Sequence, residues 1–512
     1  MKKKSQKLVE ELLERKANRR FYTLLLSFLI PLFLIADVHF SYTTDCIKAQ
    51  KACYELRLDD AQSLIEKSKA ADPDNLSVLL LEHLRITLKA FVTEDDESYA
   101  ELKSFHAKAY KTIAIAPSHL AHRKFAMAEL DFQLALIKGK KNDFYSAARL
   151  INNAHKLLKS NHKQHPDFAL NKKTLGLINA YLSSVPKNYD WAMKLLGFKG
   201  NLEQGLSYLK EVSALDENAT YGVYSTEGAY LYAFTLSHVA NRKEEAWISI
   251  KGNTTNYRTS GLATFFRANL AGRLHMNEEQ IVILENRPKG KAYQAFPILD
   301  YMLGVAHLNS LSPSAIEHLK AFYNQTKGKH YIKACLHKMS WFYLLFDEKE
   351  LALVYKSRIE KEGSDLNEED KLAMHYASKV LPHKALLKAR LLFDGGYYKQ
   401  ALNAIKNLSS DDFSTNDLKA EYSYRKGRIF QMLGNDHVAS LFFIASTKFG
   451  VQSEEYYAAY ACLQLGSYYL SIGDKSNAEL YYKKANSYKN NKEFKDSIEQ
   501  QSIAGLSACK AL

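Results

Sequence analysis

The stretch LGSYYLSIGDKSNAELYYKKA, residues Leu465–Ala485, decides the fold. Gly466 and Ala478 lie twelve positions apart, on either side of a Gly473-Asp474 turn. In a helix-turn-helix unit, this spacing puts two of the smallest side chains where the two helices approach most closely. Larger side chains would force the helices apart, so the pattern predicts a tightly packed antiparallel helix pair.

This stretch resembles a tetratricopeptide repeat almost position for position. The same template fits the segments around residues 389–405 and 427–443, and it fits more weakly around residues 304 and 340. The first-helix positions are spaced by 36, 49, 38 and 39 residues, so the array is irregular and contains loop insertions. The resemblance implies an all-α solenoid in which antiparallel pairs stack into a right-handed superhelix. The predicted structural positions are Ala389, Ala401, Gly427, Ala439, Gly466, Ala478 and Ala485.

Composition favours the same fold class. The chain has 512 residues, of which 46% are apolar and 25% are charged, as in an ordinary globular protein. Only 9 prolines and 22 glycines interrupt a sequence rich in Lys, Leu, Ala and Glu, which indicates a helical chain. The net charge of +14 is spread along the sequence instead of forming one dense stripe. We therefore expect no nucleic-acid partner.

The N-terminus has the features of an export signal. Residues 2–20 contain eight basic and three acidic side chains, and residues 21–36 then carry no charge. As a helix, residues 21–36 would span about 24 Å, which is short for a bilayer core of about 30 Å. Cleavage after Ala36 is slightly favoured, and a single-pass anchor with the body outside the cytoplasm is the alternative. Either outcome predicts a periplasmic or cell-envelope location. A lipoprotein signal is not indicated, because TTDC before Cys46 lacks the apolar residue of a lipobox.

The region between the signal and the clear repeats also has the pattern of helical hairpins. Residues 185–211, VPKNYDWAMKLLGFKGNLEQGLSYLKE, resemble a segment of the Iml2 and tetratricopeptide-repeat-39 family, in which a Gly-Phe-x-Gly turn precedes a Gly-Leu helix. This resemblance implies further helical repeats and no activity. The predicted organisation is a basic segment at 1–20, a signal or anchor at 21–36, a degenerate helical region at 37–290 and a tetratricopeptide-like array at 291–512.

No catalytic or cofactor motif is present. The sequence lacks GxxxxGK[ST], a GxGxxG after a strand, GxSxG and HExxH. The five cysteines show neither a CxxC pair nor a zinc-ligand spacing, and we expect them to be small buried residues. We therefore predict a non-enzymatic protein with no cofactor and no metal site.

The first helix of each repeat is expected to line a concave groove that grips a protein or peptide partner. In the register set by the small residues, the groove positions are rich in aromatic residues and Arg, the types that dominate binding hot spots. These positions are His337, Trp341, Arg390, Phe393, Tyr424, Arg428 and Tyr460. The predicted function is a scaffold or adaptor of the cell envelope. The alternative is an outer-membrane protein that captures a nutrient glycan or peptide.

Overall fold

The computed structural model describes residues 38–184, 197, 199–251, 256–488 and 494–511. These residues form 24 α-helices, one short 3₁₀ helix at Ser410–Asp412 and no named strand. The expectation of an all-α chain is confirmed. The predicted signal or anchor at residues 21–36 lies outside the described residues, as do residues 185–196 and 198 of the segment that contains the Gly-Phe-x-Gly turn.

The first twelve helices form the N-terminal and central region. Their bounds are α1 Thr44–Glu55, α2 Leu58–Ala71, α3 Ser77–Thr93, α4 Asp96–Ala114, α5 Ala121–Lys140, α6 Phe144–Gln164, α7 Asn171–Leu182, α8 Leu202–Ser213, α9 Tyr224–His238, α10 Lys243–Lys251, α11 Gly261–Arg273 and α12 Asn277–Glu285. Helices that are neighbours in this order pack against one another throughout the region.

The remaining helices form the C-terminal region. Their bounds are α13 Ile298–Asn309, α14 Ala315–Gln325, α15 Ile332–Leu345, α16 Lys349–Arg358, α17 Glu368–Ala377, α18 Lys384–Asp394, α19 Tyr398–Ile405, α20 Asn416–Met432, α21 Asp436–Phe449, α22 Tyr457–Ser471, α23 Lys475–Ala485 and α24 Lys495–Ala511. Extensive packing here joins α13 to α14, α15 to α16, α18 to α19, α20 to α21, α21 to α22 and α22 to α23.

Tight turns with a defined chemistry connect the paired helices. Gly434 and Gly473 adopt positive φ angles of 78° and 79°, which the missing Cβ allows at no steric cost. The next residue then caps the second helix, because the side chain of Asn435 accepts from Val438 N and that of Asp474 accepts from Asn477 N. A Gly-Asn or Gly-Asp dipeptide therefore ends one helix and begins the next.

Small side chains lie where paired helices cross. A Cβ atom at Gly427 would lie 2.7 Å from the ring of Phe443, and one at Gly466 would lie 2.8 Å from the ring of Tyr482. In α15 and α16, the Ser340 hydroxyl donates to the Ala352 carbonyl at 2.8 Å. Such contacts leave no room for a larger side chain. The other predicted small positions, Ala389, Ala401, Ala439, Ala478 and Ala485, are all buried.

Pairing is antiparallel in the best-defined case. Near the beginning of α20, the Ala420 carbonyl accepts a hydrogen bond of 2.9 Å from Ser446, which lies near the end of α21. Gly427, farther along α20, lies against Ala439 and Phe443 in the earlier part of α21. Helices α7 and α8 of the central region also approach closely at a glycine, since a Cβ at Gly205 in α8 would lie 2.6 Å from the Gly176 carbonyl oxygen of α7.

The helices also make contacts over long sequence distances. The Ser260 hydroxyl before α11 donates to the Tyr54 carbonyl at 2.8 Å, and Leu56 packs against Gly261. Farther along, the imidazole of His330 lies 2.9 Å from the Lys140 carbonyl oxygen. The N-terminal helices therefore contact α11 and the residues before α15, in addition to their immediate neighbours.

A buried ion network joins the N-terminal helices. The ammonium of Lys173 in α7 donates to Glu129 in α5 at 2.6 Å and to Glu227 in α9 at 2.8 Å. The Tyr54 hydroxyl of α1 donates to Glu227 at 2.5 Å. These carboxylates also raise the pKa of Lys173, against the opposing effect of burial. The two carboxylates offset the cost of burying the charge of Lys173. The network also links helices that are distant in sequence.

A buried pair of imidazoles lies beside this network. Nδ1 of His83 is 2.7 Å from Oε1 of Gln133, and Nε2 of His83 is 3.3 Å from Nδ1 of His106. Burial lowers the pKa of His83 to about 3 and that of His106 to about 4. Both imidazoles are therefore neutral at pH 7. Burial also raises the pKa of the neighbouring Asp131 to about 6.

We expect Gly205→Ala to destabilise the protein and Gly139→Ala not to. The new Cβ of Gly205→Ala meets the α7 backbone, which we expect to cost about 1–3 kcal/mol. Gly139 in α5 has no heavy atom within 4 Å of its Cβ position, so alanine there adds only helix propensity. Thermal unfolding of both variants measures the difference. Equal midpoints would contradict the close approach of α7 and α8.

We expect His83 to make stability fall on acidification. Its folded pKa of about 3 lies below the unfolded value near 6.5, so the unfolded chain binds the extra proton as pH falls. Stability is therefore complete above pH 6.5, and between pH 7 and 5 His83 accounts for a loss of about 2 kcal/mol. Urea unfolding of the His83→Gln variant should show a shallower pH dependence over that interval than the parent. An unchanged pH dependence would refute this assignment. Asp131 gains its proton in the folded state, so it stabilises both proteins on acidification and does not account for a difference between them.

Candidate binding pocket

The predicted groove residues all lie on the first helices of helix pairs. His337 and Trp341 belong to α15, Arg390 and Phe393 to α18, Tyr424 and Arg428 to α20, and Tyr460 to α22. The structure brings His337, Trp341 and Arg390 together in one pocket and Phe393 and Arg428 in a second cluster. The two tyrosines pack elsewhere.

The Trp341 pocket lies between α15, the loop that follows α17, α18 and the first half of α20. It encloses about 660 Å³, a volume typical of sites for small ligands. Its lining residues are His337, Ser340, Trp341, Lys356, Tyr376, Ser378, Lys379, Val380, Leu381, Pro382, His383, Leu387, Arg390, Thr415, Asp417, Leu418, Glu421, Arg425, Glu455 and Tyr457.

Cations cover the indole of Trp341. The guanidinium carbon of Arg390 lies 4.8 Å from the ring centroid, and the Lys338 ammonium lies 4.2 Å from it. His337 makes an edge contact with the same ring at 4.4 Å between centroids. Trp341 is only 3% exposed, so its face is not free to stack on a sugar ring or a base. The indole instead supports the two cations through cation-π attraction.

Most charged groups in the pocket wall have partners within the protein. Arg425 pairs with Glu421 at 2.5 Å, and Lys379 pairs with Glu455. The Lys356 ammonium donates to the Ala377 carbonyl oxygen. These interactions fix the wall and leave the corresponding cations already compensated.

Arg390 differs from these cations. Its side chain is 17% exposed, and the Asp394 carboxylate lies 3.9 Å from Nε, too far for a hydrogen bond. Within the described ranges, no oxygen accepts a hydrogen bond from this guanidinium. Lys338 is in a similar position, because burial and the like charge of Arg390 lower the pKa of its ammonium to about 8. Arg390 thus lines the pocket without a hydrogen-bonded anion, and Lys338 lies near the same indole outside the pocket lining.

A second group of cations and aromatics, the Arg428 cluster, consists of Arg428, Phe393, His275, Lys243 and Arg273. The Arg428 guanidinium lies 5.4 Å from the Phe393 ring, and that ring contacts His275 at 5.8 Å. Lys243 donates to the Arg273 carbonyl at 3.4 Å. Burial, together with the charges of Arg273 and Arg428, lowers the pKa of Lys243. Helices α10, α11, α18 and α20 therefore place like charges near one another.

Tyr424 and Tyr460 do not line the Trp341 pocket. Tyr424 is 8% exposed and packs against Phe443 and Tyr457 in the core between α20, α21 and α22. The Tyr460 hydroxyl lies 3.2 Å from the Ser497 hydroxyl of α24, and burial raises the pKa of Tyr460. The sequence register placed both on the groove, whereas their rings fill space between successive helix pairs.

Sequence reasoning missed Lys338, Lys243, Arg273 and His275. Lys338 precedes Trp341 by three positions on α15, a spacing that places both side chains on one helix face, so this residue had a local signal. The other three come from α10 and the end of α11, and only the long-range packing brings them to α18 and α20. The local sequence contains no pattern that predicts this contact between distant helices.

Three further features of the described residues concern metal binding, membrane spanning and thiol chemistry. In the described part of the chain, no group of three His, Cys, Asp or Glu side chains is arranged to hold a metal ion. No described helix combines the length and apolar character needed to cross a bilayer. The five cysteines are free and buried, as expected, and burial raises the pKa of Cys53 and of Cys462 to about 12.

No protein-family model matches the sequence, and a search of curated proteins finds no significant match. The resemblance to tetratricopeptide repeats thus rests on the residues quoted above.

We expect all five thiols to be unreactive in the native protein. A thiolate must reach and attack the disulfide of the reagent, and all five sulfur atoms are buried out of its reach. Titration with a chromogenic disulfide should therefore detect thiols rapidly only after addition of guanidinium chloride. Rapid reaction of any thiol in native buffer would show that its helix pair opens.

Proposed function

We propose that this chain is a non-catalytic binding scaffold of the cell envelope, built as a right-handed superhelix of tetratricopeptide-like helix pairs. The antiparallel pairs, the small residues at their crossings and the Gly-Asn and Gly-Asp turns support this architecture. In such a superhelix the first helices line the inner face, which binds an extended polypeptide.

The observation that carries the proposal is that two arginines on those helices, Arg390 and Arg428, have no hydrogen-bonded carboxylate among the described residues. Arg390 has no hydrogen-bonded carboxylate, and the buried Nε of Arg428 has no hydrogen-bond partner among the described residues. The buried Nε of Arg428 is a donor without an acceptor, which costs free energy, so binding of an acceptor at this position would be favourable. The partner is therefore expected to present an acidic segment.

The positive charge of the chain also predicts how the affinity for the partner depends on salt. The net charge of +14 and the like charges of Lys243, Arg273 and Arg428 attract an acidic partner over several ångströms. The association is expected to weaken as salt is added, because a Debye length of about 8 Å at physiological ionic strength shortens further.

The envelope location rests on the basic and apolar N-terminus. The residues immediately after the apolar segment are attached to the body: His39 lies 3.0 Å from Asp72, and Ser41 N donates to Asn75 at 3.0 Å. Phe40 stacks on His122 at 5.4 Å. With an uncleaved anchor, this attachment holds the first helices close to the membrane surface. With cleavage, it secures the new N-terminus.

Capture of a nutrient peptide is the second candidate. It is favoured by the size of the Trp341 pocket, which suits a small ligand better than a folded domain. A glycan is less well matched, because the cations and His337 cover the indole face on which a sugar would stack.

We expect charge reversal on the inner face to abolish partner recovery. Arg428→Glu and Arg390→Glu should each lower partner recovery by about tenfold or more in a crosslinking pull-down from intact envelopes. Arg149→Glu is the matched control, because Arg149 is exposed on α6. Circular dichroism verifies that the variants fold.

Recovery that is unchanged in both inner-face variants would refute the proposed binding face. Loss of recovery in Arg149→Glu as well would show a general effect of charge and would equally count against that face.

A further inference from the structure

We propose that the Trp341 pocket binds a carboxylate carried by a small apolar body, with the Arg390 guanidinium as its anchor. This inference goes beyond the scaffold role, because a ligand of this kind requires no polypeptide partner and no superhelix. The site is assigned from the pocket wall alone.

The anchor is built into the fold. Arg390 lies on the indole of Trp341 at 4.8 Å, and this contact holds the planar guanidinium in one orientation. Its hydrogen-bond donors have no acceptor among the residues that the structure describes, although other cations of the wall are paired. A guanidinium held in this way presents two parallel N–H groups, which match the two oxygens of a carboxylate. Lys338, at 4.2 Å from the same indole, adds a second positive charge nearby.

The charge balance of the lining favours a monoanion. Four cationic and three carboxylate side chains line the pocket, which leaves one excess positive charge among these groups. Burial and nearby cations lower the pKa of His337 well below its usual value, so it stays neutral at pH 7. A single carboxylate neutralises this excess.

The remaining wall suits an apolar group. Val380, Leu381 and Leu387 line the pocket beside the anchor, and Val380 is 91% exposed, so a ligand that covers it removes apolar surface from water. The volume of about 660 Å³ accepts a body of the size of an aromatic amino-acid side chain with its carboxylate. A free carboxylic acid and the C-terminal residue of a peptide share this chemistry.

Calorimetric titration of the purified full chain tests the proposal with two pairs of probes. The first pair is 3-phenylpropionate and its amide, and the second is N-acetylphenylalanine and N-acetylphenylalaninamide. We expect at least one acid to bind and its amide to bind about tenfold or more weakly, because the charge-assisted hydrogen bonds are lost. Tighter binding of the acetylated amino acid assigns the carboxylate to a peptide terminus. Equal or tighter binding of 3-phenylpropionate assigns it to a free acid.

Arg390→Gln provides the matched test within the protein. We expect it to weaken binding of the acid about tenfold or more, while Arg149→Gln, at an exposed position on α6 outside the pocket lining, leaves binding within about twofold. Thermal unfolding verifies that both variants fold. The proposal is overturned if neither acid binds, if acid and amide bind equally, or if Arg390→Gln binds like the parent. Because no partner is present in this titration, its failure leaves the pull-down result standing independently.

Discussion

The close approach of paired helices at very small side chains is the constraint on which the rest of the C-terminal region depends. Gly427 lies against Phe443, Gly466 lies against Tyr482, and the Ser340 hydroxyl reaches the Ala352 backbone. At such distances each pair packs as one unit, and the side chains of the first helix are placed relative to those of the next pair. The positions of Trp341, Arg390 and Arg428 follow from this packing.

Two buried cations with a structural role have hydrogen-bonded carboxylate partners, whereas the cation to which we assign a binding role does not. Lys173 has two carboxylate partners, and Arg425 has Glu421. Such compensation is what a stable interior requires. Arg390 is also largely buried, yet it rests on Trp341 without a hydrogen-bonded anion and faces a pocket. This guanidinium, which has no hydrogen-bonded carboxylate, gives the pocket its proposed chemistry.

Residues with local spacing could be predicted from the sequence. The small positions, the turn at Gly473 and Asp474, and the all-α class all depend on contacts between neighbouring helices, which leave a periodic pattern. The contact of Trp341 with Lys338, three positions earlier, had the same kind of signal, although the groove prediction did not use it. Buried cysteines followed from the absence of metal-ligand and CxxC spacings.

Other features could not be predicted because they depend on packing between distant segments. Tyr424 lies in the core because its ring packs against Phe443 of α21 and Tyr457 of α22, and no local pattern predicts those contacts. Likewise, the contacts of Tyr54 with Ser260 and of Lys140 with His330 join segments about two hundred residues apart. Arg273 and Lys243 reach Arg428 only through such packing.

A double-mutant cycle at one helix crossing tests the central claim most directly. Gly427→Ala fills the space in front of Phe443, and Phe443→Leu vacates part of it, so the two changes should compensate. The account predicts that urea unfolding of the double variant shows a destabilisation smaller than the sum of the single variants by about 1 kcal/mol. Strictly additive effects would show that Gly427 does not set the distance between α20 and α21, and the account of the array would then be wrong.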